Sequence, residues 1–279
     1  MYVFQGKIYT NMQKLRQRYR YSAILLREIV RTDFKLRYQG SALGYLWSLL
    51  RPLFMFAILY LVFGVFLKAK GNIPYYPVYL LLGILLWNFF SEITSGSVAA
   101  IVGKGDLLRK INFPKYVIIL AVSLAALINL ALNFVVLAII MIITHVPVSS
   151  GALLVLPLIL ELYVLAMAVG LFLSALFVKF RDVTYIWEVI MQAAFYATPI
   201  LYPLSLIPAH FAKYMLLNPA AQIIQDSREV LVTPVTQTIS DFWGGDKLIW
   251  AIPIGLTVLI AVLAGWYFRT QSKNFAEEI

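Results

Sequence analysis

The sequence predicts an all-α integral membrane protein, and three observations carry that reading. Hydrophobic residues make up 62% of the 279 and charged residues only 13%, against roughly 45–50% and about 25% in soluble domains. One packed core cannot hide that much apolar surface from water, so a bilayer is the natural solvent. Six stretches are each long enough to cross a hydrocarbon layer of about 30 Å, which takes about 20 helical residues. Seventeen of the 23 Lys and Arg fall on one side of the resulting topology and five on the other.

Residues 1–22 contain no apolar run, so no cleaved leader is expected there. The segment LLREIVRTDFKLRYQG at 25–40 reads as an amphipathic helix. Arg27, Arg31 and Lys35 recur at i, i+4 and i+8 on one narrow face. Leu25, Leu26, Ile29, Val30, Phe34 and Leu36 lie mostly on the other side. Such a helix rests along the headgroup boundary, where anionic lipid neutralises each cation at about 1 kcal/mol. Stacked cations repel one another, so this face calls for an anionic or polar partner. Asp33 and Arg37 interrupt the apolar side, which favours a helix that also touches protein.

The six spans are expected at 42–67, 76–100, 116–144, 152–178, 183–201 and 248–268. The first holds Arg51 and Pro52, the second Glu92, the fourth Glu161 and the fifth Glu188; the third and sixth carry no charge. The positive-inside rule places both termini in the cytoplasm of a multi-pass cytoplasmic-membrane protein, and an even number of spans agrees in parity. The chain reads as one domain over 1–279. Residues 1–41 form a cytoplasmic N-terminus, 42–268 the membrane region and 269–279 a cytoplasmic tail. Between the fifth and sixth spans, residues 202–247 carry Pro203, Pro208, Pro219 and Pro234, with apolar pieces about half a membrane long between them. Helices too short to span and broken by Pro suggest re-entrant or interfacial segments on the outer side.

Two inner loops stand out. In VGKGDLLRKINFPKYV at 102–117, Gly103 and Gly105 open a turn, Asp106 suits a helix N-cap and Pro114 ends the piece. DLLRKINF then reads as a two-turn helix lying across the ends of two spans. Arg181 and Asp182 mark a tight turn between the fourth and fifth spans, with Asp182 as a helix N-cap.

Several chemistries are absent from the pattern. No phosphate-loop motif occurs; VGKGD at 102–106 lacks its first glycine and its Ser/Thr. There is no G-x-S-x-G elbow and no H-E-x-x-H. The chain has no cysteine, and its two histidines, His145 and His210, fall in separate outer loops, so no catalytic or metal site is expected. Glu92, Glu161 and Glu188 lie on three helices without forming a relay, and read as inter-helix or interface groups. Uphill movement of a solute therefore needs energy from a partner. The formal charge of +10 follows the topology and calls for no nucleic acid.

Five segments together resemble the permease subunits of ABC exporters for polysaccharides and polyol phosphates. They are LREIVRTDFKLRYQGSALGYLWSLLRPL at 26–53, LLRKINFPK at 107–115, FRDV at 180–183, ATPILYP at 197–203 and LNPAAQIIQDSREVL at 217–231. The resemblance covers about residues 22–270, and the last segment looks closest to teichoic acid exporters. O-antigen and capsular glycan permeases come next. A drug or small-lipid exporter shares the fold, and a prenyl-phosphate transferase is the rival from another class.

The resemblance implies a homodimer working with two copies of an ATPase subunit, which holds the ATP and Mg, so this chain binds no cofactor and is not an enzyme. It makes 25–40 an interface helix and DLLRKINF a coupling helix. ATPase contacts then fall to Arg27, Arg31, Lys35, Asp106, Arg109, Lys110, Arg181 and Asp182. The implied cargo is a polymer on a polyprenyl diphosphate. Aromatic faces tolerate varied sugars and cations suit a diphosphate, so the candidate substrate path comprises Arg37, Trp47, Arg51, Phe54, Tyr60, Trp87, Trp187, Tyr196 and Tyr202. Membrane lipid is the remaining partner.

Overall fold

A computed structural model describes residues 22–33, 35, 41, 43–44, 46–68, 73–111, 113–148 and 150–278, and every regular element among them is a helix. Helical residues 22–33 form α1. α2 is Leu46–Leu59 and runs on as a π-helix, Tyr60–Phe66. α3 is Tyr76–Val98, followed by α4, Ala100–Gly103, and α5, Gly105–Lys110. Then come α6 at Tyr116–Ile143, α7 at Val155–Lys179 and α8 at Val183–Ala197. α9 is Ala209–Met215, α10 is Pro219–Leu231, α11 is Ala251–Gln271 and α12 is Phe275–Glu278. Arg37 lies outside the described residues.

Five helices among the described residues are long and apolar enough to cross a membrane: Leu46–Phe66, Tyr76–Val98, Tyr116–Ile143, Gly151–Lys179 and Leu248–Gln271. The stretch expected as another span, 183–201, is only partly helical. α8 has 15 residues, about 22 Å at 1.5 Å per residue, and the chain turns at Thr198–Ile200. Pro199 has no N–H to continue the ladder, which accounts for the break.

α3 sits in the interior. Its first half is apolar on every side, as an enclosed helix must be, and from Val78 to Trp87 each residue is buried. α6, α7 and α10 pack around it, and α11 pairs with α7. The peripheral helices are bare by contrast. α2 buries only Pro52 of its 14 residues, and α11 buries Pro253, Thr257, Ala264 and Phe268. Hydrocarbon is the solvent that suits such faces. The protein is a multi-pass membrane protein.

A second core closes one end of the bundle. There Ile29 of α1 meets Ile101, Leu108, Phe113, Val117, Phe268 and Phe275. α1 is thus seated on protein as well as facing outward. Lys115 joins this end, donating to the Ser272 carbonyl with its ammonium 5.5 Å from the Phe275 ring centre; burial lowers its pKa.

α10 is the unusual element. Asn218 caps it, its Oδ1 accepting from the Ala220 N–H at 3.0 Å, with Pro219 at the first helical position. Its residues from Pro219 to Arg228 are all buried, Gln222, Gln225, Asp226, Ser227 and Arg228 among them. The topology groups Arg228 with the outer-side cations, but the structure buries it completely. The guanidinium finds enough partners there. Nε donates to the Tyr79 carbonyl at 3.0 Å, Nη1 to that of Pro199 at 2.6 Å and Nη2 to that of Ile200 at 2.7 Å. The Tyr79 ring centre lies 3.7 Å from its central carbon. One side chain therefore pins α10 to α3 and to the turn after α8.

The close approach needs Gly83, because a Cβ at that position would stand 2.3 Å from Arg228 Nη2. Gly83→Ala should push the guanidinium out of its seat. Arg228→Leu should take the donors from the Pro199 and Ile200 carbonyls, each costing about 1–3 kcal/mol when left unpaired and buried. Both variants should melt well below the parent in detergent. A Gly83→Ala protein with an unchanged melting temperature would show that the guanidinium does not depend on this gap.

Candidate functional site

A polar recess of about 510 Å³ opens between α2, α3 and α6. Helical spacing builds it. Ser48, Arg51 and Met55 line it from α2, Asn88, Glu92 and Ser95 from α3, and Asn129 and Asn133 from α6. Within each helix these positions are three or four apart, so each set makes one stripe.

The stripes are tied to one another. Asn129 Nδ2 donates to Glu92 Oε1 at 2.7 Å. Asn133 Nδ2 donates to the Asn129 carbonyl at 2.8 Å and approaches the Ser48 carbonyl at 3.4 Å. The last contact follows from Pro52, which has no N–H to offer the Ser48 carbonyl one turn below. Asn133 takes over the freed acceptor, as membrane helices broken by proline require. Asn129 Oδ1 is buried without a hydrogen-bond partner among the described residues. Arg51 is exposed on the recess wall. The recess thus offers amide and hydroxyl groups, one cation, one carboxylate and the Trp47 ring, a lining suited to hydrated, hydroxyl-rich or anionic groups.

The other candidate aromatics do not converge on this recess. Trp87 is buried edge-on to Phe195 at 6.1 Å. Phe195 meets Tyr196 at 5.3 Å, and the Tyr202 hydroxyl donates to the Tyr196 carbonyl at 2.7 Å. Burial raises the Tyr202 pKa. Tyr60 stacks on Phe56 at 5.8 Å, Trp187 packs beside Val98, Leu173 and Val183, and Phe54 is exposed. Among the described residues of the substrate path, only Trp47 and Arg51 share this recess.

The charged candidates gather at the α1 end. α5 starts at Gly105, so Asp106 lies in its first turn, where it complements the helix dipole instead of serving as the N-cap. The helix stops at Lys110, short of the expected two turns, and Ile111 is extended. Asp106, Arg109 and Lys110 are exposed, while Leu108 faces the core. Asp182 occupies the α8 N-cap position without a side-chain capping bond. Arg181 lies over the Phe177 ring at 5.1 Å. Arg27, Arg31 and Lys35 line a groove between α1 and α6. Asp33 on α1 accepts from Lys104, between α4 and α5, at 2.5 Å, so the acidic break in the apolar face is a protein contact.

A further polar centre lies in α10. Gln222 Nε2 donates to Asp226 Oδ2. Burial pushes the Asp226 carboxyl up to about 7, opposed by the Gln222 bond and assisted by the nearby Glu229 and Glu161 carboxyls. Sequence reasoning passed over Asn88, Asn129, Asn133 and the α10 polar set. The signal was there for the asparagines, since Asn129 and Asn133 are one helical turn apart in an otherwise apolar span. Among the described residues, no group of three or more His, Asp or Glu is placed to hold a metal.

The fold and these sites define a membrane-embedded protein with a polar recess between its helices and a charged surface at the α1 end. The chain belongs to the ABC-2 type transporter family, whose profile matches residues 24–232, from α1 to just past α10. Members of that family are permease subunits that lack a catalytic ATPase domain of their own. It is 29% identical over 272 residues to the O-antigen export system permease protein RfbA of Myxococcus xanthus, covering 95% of this chain and 98% of that one. An O-antigen export system permease protein RfbA of Klebsiella pneumoniae is 30% identical over 213 residues, 76% of this chain and 81% of its own. The polysialic acid transport protein KpsM of Escherichia coli is 29% identical over 213 residues, with 75% and 80% covered.

The Asp33–Lys104 pair is testable by charge exchange. Both side chains are partly exposed, so Lys104→Asp alone should cost only about 1 kcal/mol. Adding Asp33→Lys should recover most of that loss in a double-mutant melting cycle. Strict additivity of the two changes would mean that the pair does not hold α1 in place.

Proposed function

We propose that this chain is the membrane permease of an ATP-driven exporter that carries a lipid-linked cell-surface polysaccharide, of O-antigen or capsular type, across the cytoplasmic membrane. The observation that carries the reading is the likeness to an O-antigen export permease along nearly the whole of both chains. Sequence motifs had favoured teichoic acid as the polymer. The relatives named above are O-antigen and polysialic acid transport proteins, which supports a sugar polymer instead.

In this reading the permease works as a dimer beside two copies of a separate ATPase subunit that binds ATP and Mg. The α1 end faces the cytoplasm, in keeping with its excess of Lys and Arg. α8 and the turn after it make a sixth crossing, which returns the C-terminal tail to the side of α1. α9 and α10 then act as re-entrant helices on the outer side. Closure of the ATPase subunits presses on α5 through Asp106, Arg109 and Lys110, and on the turn at Arg181 and Asp182. α5 passes the push to the spans through Leu108 and the core at that end. The recess between α2, α3 and α6 meets the head of the cargo, its asparagines and Trp47 suited to sugars and Arg51 to the diphosphate.

Two experiments test this. Proteoliposomes holding the permease with its ATPase should export a polyprenyl-diphosphate glycan when ATP is supplied; export of a polyol-phosphate chain alone would return the reading to teichoic acid. Arg109→Glu with Lys110→Glu should lower export at least tenfold with ATP present, while the isolated permease keeps its melting temperature, because both side chains are exposed. Full export by that variant would make α5 a simple connector.

A further inference from the structure

Between α1 and α6 the surface dips into a groove of about 810 Å³. Its floor is aliphatic: Leu26 and Val30 from α1, and Leu124, Leu127 and Ile128 from α6. The three α6 positions are at i, i+3 and i+4 on one stripe. Leu127 and Ile128 are exposed, so this stripe is a lipid-facing side of the span. Leu124 lies eight residues beyond Tyr116, about 12 Å along the helix, so the groove runs from the membrane boundary inward.

Its rim is charged. Arg27, Arg31 and Lys35 stand along it, all exposed, and among the described residues none is bonded to a carboxylate. The other side of α1 is fixed, with Ile29 buried and Asp33 bonded to Lys104. α1 therefore cannot roll to close the groove without giving up both contacts. Three unneutralised cations above an aliphatic trough complement one kind of molecule, an amphiphile with an anionic head and a hydrocarbon tail.

We infer that this groove is a binding site for an anionic phospholipid of the surrounding leaflet, its phosphate held by Arg27, Arg31 and Lys35 and an acyl chain lying along Leu124, Leu127 and Ile128. A protein segment would have to enter hydrocarbon to fill such a floor. The polyprenyl-linked cargo would bring sugars to walls that offer none of the amide and indole groups found in the other recess. A lipid seated here sets the position of α1 and, through Asp33 and Lys104, that of α5. The inference rests on the fold and on the charge of α1, and holds whichever polymer is exported.

The test uses the full-length permease in detergent, titrated with phosphatidylglycerol or phosphatidylcholine and read by native mass spectrometry without polymer, so its failure is distinct from a failure of the export reading. Each surface cation favours an anionic headgroup by about fivefold, so phosphatidylglycerol should be retained about a hundredfold better, with the preference weakening as salt rises. Changing Arg27, Arg31 and Lys35 together to Gln should bring the two lipids near parity. Leu127→Trp should release the lipid with all three cations intact, and melting curves show whether each variant is folded. Equal retention of both lipids by the parent, or a preference that survives the triple change, overturns the inference. Displacement of phosphatidylglycerol by equimolar polyprenyl diphosphate, or by the ATPase subunit, also overturns it and assigns the groove to that competitor.

Discussion

The arrangement of α10, α3 and the turn after α8 rests on one buried cation. Arg228 is fully enclosed, with three backbone carbonyls and an aromatic face around it. Isolated charges of this kind are costly to bury, and they persist only when every donor is matched. Here the cation and its matching groups belong to three different segments, α10, α3 and the turn after α8. None of the three can shift alone without leaving a polar group unpaired. The turn is itself a product of Pro199, whose carbonyl is one of the acceptors. Chain breakage and chain fixation thus occur at the same place.

The same logic, with neutral groups, governs the contact of α2, α3 and α6. Pro52 frees a carbonyl on α2, and Asn133 of α6 reaches toward it. Asn129 then holds Glu92 of α3. Three helices that would otherwise touch through aliphatic contacts alone gain directional bonds, and a recess with polar walls lies between them. Polar side chains in a membrane interior are expensive, and these serve both to hold the helices and to line the space.

Much of the architecture was legible in the sequence because the bilayer imposes a simple rule of length and polarity. The spans around α2, α3, α6, α7 and α11 follow directly from it. The basic stripe of α1 was equally plain, since 100° spacing depends on nothing remote. What escaped was set by partners distant in the chain. Arg228 reads as a surface cation until Tyr79, Gly83 and the 199–200 carbonyls are brought to it. The stretch 183–201 has the composition of a span, and only the Pro199 turn, held from α10, shows that its helix stops early. Trp47 and Arg51 share a cavity because they are four apart on one helix; Trp87, Trp187 and Tyr60 disperse because three-dimensional packing sorts them into separate contacts.

The shortness of α8 has a mechanical effect on its surroundings. In the proposed topology α8 crosses the membrane, and a helix of about 22 Å in a layer of about 30 Å leaves a mismatch that the lipid must absorb by compressing or tilting its tails. Around this one segment the oily barrier is therefore locally pinched. In that reading a polymer passing alongside α8 meets a shorter stretch of oil than it would beside the longer spans.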